Sequence, residues 1–164
     1  MTSDPGPQSQ RVYQLSLVDA GEILTLQRAA YLSEAVTYHD FNLPPLTQTL
    51  DELRAELSSP DTIALGIRDN GRLIGSVRLR RIGSTTELGR LTVVPDRQGE
   101  GIGTRLLLNA ESTSREVREI RLFTGEHSTA NIRLYTRLGY HETGRTPAGE
   151  YDLIHFVKML PQTA

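Results

Sequence analysis

Residues 91–110 restrict the fold more than any other part of the chain. Leu91-Thr92-Val93-Val94 reads as a strand, and Pro95 ends it because proline has no N–H to give to a ladder. The chain then passes through Gly99, Gly101 and Gly103, and Ile102, Leu106, Leu107 and Ala110 fall on one helical face. A strand that feeds a helix through a glycine-rich turn requires a helix packed on a sheet. It also makes an anion site. The first N–H groups of the helix have no internal acceptors, and the helix dipole leaves partial positive charge on them. Glycine removes the β-carbons that would hold a phosphate away, and Arg97 and Arg105 are placed to add charge-assisted bonds. The same letters also suit a turn that only reverses the chain. Two nucleotide loops are excluded: the run lacks the third glycine of a dinucleotide fingerprint, and there is no G-K-[ST].

Around this unit the pattern alternates between helix and strand. A length of 164 residues suits one domain, read over residues 11–164, behind a disordered tail at residues 1–10 that carries Pro5, Gly6 and Pro7. Residues 11–18 read as a strand. Ile23, Leu24, Ala30, Tyr31 and Ala35 then recur at helical spacing, and Asn42-Leu43-Pro44-Pro45 breaks the chain. A second helix is predicted behind a Thr47 cap, with Leu50, Leu53 and Leu57 on one face. Ile63, Leu65 and Ile67 alternate, Asn70-Gly71 turns the chain, and strands follow over residues 73–82 and 87–94 as an antiparallel meander. After the glycine turn and its helix come a strand at 119–124 and a helix at 130–138 that Gly139 ends. A closing hairpin of residues 140–145 and 150–159 has Thr146-Pro147-Ala148-Gly149 at its tip. This order predicts a mixed α/β fold with a mostly antiparallel sheet flanked by helices.

Composition removes several function classes. There are no cysteines, hence no disulfide, thiolate metal site or cysteine nucleophile. A net charge of -2 argues against a broad grip on nucleic acid, so no nucleic-acid partner is expected. No apolar run suits a membrane span, and the absence of an apolar leader behind Met1 reads as cytoplasmic. His39, His127, His141 and His155 are scattered without a ligand spacing, so no metal is expected.

Gln98-Gly99-Glu100-Gly101-Ile102-Gly103 resembles the Q/R-x-x-G-x-G/A signature of the GNAT superfamily of N-acetyltransferases, and Asn131-Ile132-Arg133-Leu134-Tyr135-Thr136-Arg137-Leu138-Gly139-Tyr140 is similar to its second signature. The element order agrees with that family's fold across about residues 11–160. The resemblance implies acetyl-CoA as cosubstrate. Leu91, Thr92 and Val93 would meet its pantetheine arm through main-chain groups, while Gln98, Gly99, Glu100, Gly101, Ile102, Gly103 and Thr104 would wrap its pyrophosphate. Asn131 would bond to the arm or the phosphates. Tyr135 matches the tyrosine that protonates the leaving thiolate in many members, although the same residue suits an amphipathic core position.

Some relatives place a general base where this chain has Glu87. Period-2 alternation would put Glu87 on the face of Leu91 and Val93 unless a bulge intervenes. A solvated charge at a strand end is the other reading. For the acceptor amine, Glu34, Tyr38 and His39 cluster ahead of Pro44-Pro45. The expected reaction is direct attack of an amine, in a ternary complex, on acetyl-CoA. A small-molecule amine is the expected partner, with a protein N-terminus or lysine, or a non-catalytic acyl-CoA sensor, as alternatives. The resemblance also allows a homodimer.

Overall fold

A computed structural model describes residues 11–162; the tail expected at residues 1–10 lies outside them. Seven strands form one sheet: β1 (Val12–Leu15), β2 (Thr62–Asp69), β3 (Arg72–Ile82), β4 (Thr85–Val93), β5 (Glu119–Gly125), β6 (His141–Ala148) and β7 (Tyr151–Met159). Their spatial order is β1-β2-β3-β4-β5-β7-β6, antiparallel except for β4 against β5. The helices are α1 (Ala20–Tyr38), α2 (Pro44–Thr47), α3 (Leu50–Leu57), α4 (Ile102–Thr113) and α5 (Thr129–Arg137). The mixed, mostly antiparallel sheet with flanking helices is the fold expected from the pattern. No helix among the described residues is long and apolar enough to cross a membrane.

Three boundaries differ from the sequence expectation. β1 stops at Leu15, because the Ser16 amide donates to the Asp19 carboxylate at 2.8 Å and closes a 3-10 turn over Leu17–Asp19. Pro44 and Pro45 open α2 instead of only breaking the chain, since proline suits a first helical turn. The cap of α3 is Thr49, not Thr47: its hydroxyl accepts from the Glu52 amide at 3.2 Å, and the Thr49 amide donates to the Glu52 carboxylate at 3.1 Å. The last hairpin is also tighter than expected. Thr146, Pro147 and Ala148 pair with β7, leaving Gly149 and Glu150 as the turn.

Helices cover opposite faces of the sheet. Ile102, Leu106, Leu107 and Ala110 of α4 are buried against it, each large side chain contributing about 1.5–3 kcal/mol. Gly75 lets α4 approach, for a β-carbon there would come within 2.6 Å of Ile102 Cγ2. On the other face, Arg78 of β3 donates to Gln27 of α1 at 2.7 Å and to Glu56 of α3 at 2.8 Å. A buried guanidinium is tolerable there because these acceptors meet it.

The β3–β4 register fixes the site. Arg80 pairs with Glu87 and Arg78 with Gly89, yet the next pair is Ser76 with Thr92 and then Gly75 with Val93. Arg90 and Leu91 thus oppose the single residue Val77, which is a β-bulge, and Arg90 takes a left-handed φ of 54°. The extra residue inverts the alternation. Glu87 shares the face of Arg78 with α1 and α3, whereas Val93 shares that of Gly75 with α4. The expectation that Glu87 lies on the face of Leu91 and Val93 is therefore corrected.

Candidate active site

β4 and β5 pair only at Thr85–Glu119, Thr86–Ile120 and Glu87–Arg121, although both strands run on. Beyond that point they diverge. Leu88, Gly89, Arg90 and Leu91 on one side, and Leu122, Phe123, Thr124 and Gly125 on the other, line a cavity of about 360 Å³. Tyr31, Glu34 and Tyr38 of α1, Tyr135 of α5 and Tyr151 of β7 are among its other wall residues, with Leu43, Pro44 and Pro45 beside them.

A second hollow of about 550 Å³ runs from the first past the glycine turn; the two share Tyr31, Glu34, Leu91 and Asn131. Leu91, Thr92, Val93, Gln98, Gly99, Gly101, Ile102, Gly103 and Thr104 line it. Gly99 and Gly101 both have φ near +80°, which only glycine adopts without cost. Gly103 brings α4 against Leu134, where a β-carbon would lie 3.3 Å from Leu134 Cδ2. The first helical bond of α4 is from the Arg105 amide to the Gly101 carbonyl, at 3.1 Å. Among the described residues, no backbone carbonyl accepts from the amides of residues 99–104. A row of undonated amides at a helix start is an anion cradle with its dipole aligned.

Charged groups around the cradle are arranged differently from the expectation. Arg97 bonds to Asp69 and Glu100, each at 2.8 Å, so two carboxylates already hold its guanidinium. Glu100 faces Arg97 and does not line the hollow. Arg133 and Arg137, which no sequence motif singles out as phosphate partners, stand at i, i+4 on α5 and both line the hollow, with Arg137 donating to Thr104 Oγ1 at 2.9 Å.

Tyr135 is 5% exposed, and its hydroxyl has no hydrogen-bond partner among the described residues. Burial, aided by Tyr31 and Glu34, pushes its ionisation far above that of an ordinary phenol. The hydroxyl is thus a neutral donor next to the cavity. Asn131 Nδ2 sits 3.5 Å from Thr124 Oγ1, a long contact that leaves its amide turned toward both hollows.

Glu34 and Tyr38 meet through Ser128. Ser128 Oγ donates to Glu34 Oε2 at 2.7 Å, which leaves the Tyr38 hydroxyl, also 2.7 Å from Ser128 Oγ, as donor to the serine. The His127 amide donates to the Tyr38 oxygen at 3.1 Å. Gly125 makes room for the Tyr38 hydroxyl, which a β-carbon would strike. His39 is not part of this group: it is the exposed, left-handed cap at the end of α1, with φ 51°. Glu87 is exposed and lines another groove, of about 960 Å³, with Arg80 and Arg121. Serine and arginine partners of the cavity, Ser128 and Arg90, carried no periodic signal in the sequence. Among the described residues no group of three or more His, Asp or Glu side chains converges as a metal set.

Comparisons with known proteins agree with this architecture. The chain is 29% identical over 143 residues to the UPF0157 protein YqkA of Bacillus subtilis, covering 87% of this chain and only 40% of YqkA. It is 30% identical over 148 residues to the N-alpha-acetyltransferase RimI of Mycobacterium tuberculosis, covering 88% of this chain and 85% of RimI. The PaiA N-acetyltransferase from Thermoplasma acidophilum, solved in complex with coenzyme A, superposes with a TM-score of 0.78 at 22% identity, covering 90% of this chain and 98% of PaiA. Residues 26–140 match the Acetyltransferase (GNAT) family, and with the glycine cradle, the diverging strands and this match, the chain belongs to that family.

Proposed function

We propose that this acetyl-CoA-dependent N-acetyltransferase moves the acetyl group to the amine of a small molecule by direct attack in a ternary complex. The observation that carries the reading is the undonated amide row of residues 99–104, joined through Leu91 and Asn131 to the cavity that holds Tyr135. Coenzyme A bound to PaiA, a protein of the same fold, supports it.

The amides of the cradle and the rim guanidinium groups of Arg133 and Arg137 hold the diphosphate. From there the arm runs along the edge of β4 that β5 has left, where Leu91, Thr92 and Val93 meet it through main-chain groups as an added strand would. The thioester then lies in the cavity. Amines are mostly protonated near neutral pH, so one must lose a proton before attack. Glu34 lines the cavity and is the carboxylate placed to hold the ammonium and take its proton; Ser128 fixes its other side. Glu34 takes over the role expected of Glu87, which lines the neighbouring groove and not this cavity. The nitrogen attacks the carbonyl carbon, a C–N bond forms, and main-chain N–H at Leu91 or Val93 steadies the oxyanion. The C–S bond then breaks, with Tyr135 passing its proton to the sulfur and regaining one from the proton that the new amide nitrogen releases. No covalent enzyme intermediate is needed.

The cavity's modest volume of about 360 Å³ and its aromatic side chains favour a small acceptor. RimI, similar over most of both chains, favours a second reading in which a protein N-terminus enters from the groove at Arg90. Incubating acetyl-CoA with panels of small amines and of peptides, and following free thiol, separates the two. Transfer to small amines supports the proposal; transfer to peptides alone replaces it with the second reading, and no transfer to either refutes both.

A further inference from the structure

Arg90 occupies the β4 bulge and lines both the Tyr135 cavity and the groove that opens beside Glu87. Its Nε is sealed from solvent and has no hydrogen-bond partner. The group beside its guanidinium is the Tyr31 hydroxyl, which is neutral. Arg78 stands close enough for the two guanidinium charges to repel, and the charge of Arg78 is already balanced by Glu56 at 2.8 Å. Among the described residues, no carboxylate lies within ion-pair distance of Arg90, and no cation within that distance of Glu34. The cavity therefore holds one guanidinium and one carboxylate that the protein itself leaves unmatched. Both are half-buried and face the cavity, so each offers a place for a ligand's opposite charge.

We infer that the acceptor carries a carboxylate that pairs with Arg90 while its amine faces Glu34, so that the substrate class is a small amino acid or amino-acid-like zwitterion. A planar guanidinium matches a carboxylate in two parallel hydrogen bonds. One uncompensated cation also suits one negative charge better than a dianionic phosphate. Tyr31, Tyr38, Phe123 and Tyr151 around the same cavity favour an apolar or aromatic side chain on the acceptor. This inference rests on the acetyltransferase reading above.

The test compares L-phenylalanine and L-methionine with their primary amides, in wild type and in Arg90→Gln, Arg90→Lys and Arg90→Asn. The amine of an amide loses its proton more easily than that of the free acid, so intrinsic reactivity favours the amide and any preference for the acid reports recognition. Wild type is expected to prefer the acids by about tenfold or more in kcat/KM. Arg90→Lys should retain part of that preference, and Arg90→Gln should reduce it to less than about threefold. Arg90→Asn accepts the left-handed backbone readily and gives the same answer if Arg90→Gln fails to fold. Calorimetric binding of coenzyme A shows that each variant is folded. Amides used as well as acids, or a preference that survives Arg90→Gln and Arg90→Asn, overturns this inference alone. A wild-type protein that acetylates no amine of any kind overturns the acetyltransferase reading with it.

Discussion

Glu87 and Arg121 form the last rung of the parallel ladder between β4 and β5. Past that rung the two strands no longer satisfy each other's facing N–H and C=O groups, and an extended arm can add itself to the β4 edge as a further strand does. The same rung puts the Glu87 carboxylate outside the opening, on the face covered by α1 and α3. The base proposed above is instead Glu34 of α1, which lines the opening where Glu87 does not.

Glu34→Gln is expected to lower kcat/KM for the acceptor by about 10²-fold, and Glu87→Gln to change it by less than about threefold. Steady-state thiol release with saturating acetyl-CoA reads both. A large loss at Glu87 with little at Glu34 would return the base to β4.

Tyr135→Phe should cut kcat by about 10²-fold while leaving coenzyme A affinity near its original value. The pH profile adds a check whose sign is fixed. Burial raises the Tyr135 ionisation, so the neutral, donating form persists above the ordinary phenol range and is lost only beyond it. The rate should show no alkaline fall assignable to this group below about pH 10. A descending limb at lower pH that Tyr135→Phe abolishes would contradict that placement.

Gly101→Val forces a β-branched residue into φ +80°, a conformation costing an L-residue roughly 1–2 kcal/mol. Because nothing lies within 4 Å of a β-carbon at that position, the fold should survive. Coenzyme A binding, measured by calorimetry, should weaken by about tenfold or more as the cradle is distorted. Unchanged affinity would mean that the turn does not need its glycine geometry for binding.

Gly75→Val places new atoms against Ile102 and Leu106, where a β-carbon alone would come within 2.6 Å and 3.1 Å. Overpacking of this kind costs about 1–3 kcal/mol, so the urea midpoint should fall accordingly. Gly89→Ala is the comparison: a β-carbon there meets nothing within 4 Å, and the midpoint should move by no more than about 0.5 kcal/mol equivalent.

Much of the fold was legible because its signals are local. The glycine run after Pro95, the Asn70-Gly71 turn and the apolar spacing of Leu106, Leu107 and Ala110 each report a backbone demand within a few residues. What stayed hidden depended on partners far along the chain. Arg97 lines the hollow as its place in the sequence suggests, but its carboxylate partner Asp69 is 28 positions away and left no local signal. The bulge at Arg90 and Leu91 cannot be seen in period-2 alternation, and only an unbroken register would put Glu87 on the face of Leu91 and Val93. His39 looked like part of an acceptor cluster because it adjoins Tyr38, but the helix end turns it outward. Ser128 reaches Glu34 across 94 positions, a pairing that only the closed sheet brings about.

Calorimetric titration of the protein with coenzyme A, run beside an identical titration with ATP, tests the central claim most directly. Saturable one-to-one binding of coenzyme A, with ATP binding far more weakly, is the result the undonated amides and the diverging strands predict. Tight ATP binding with no heat from coenzyme A would contradict it.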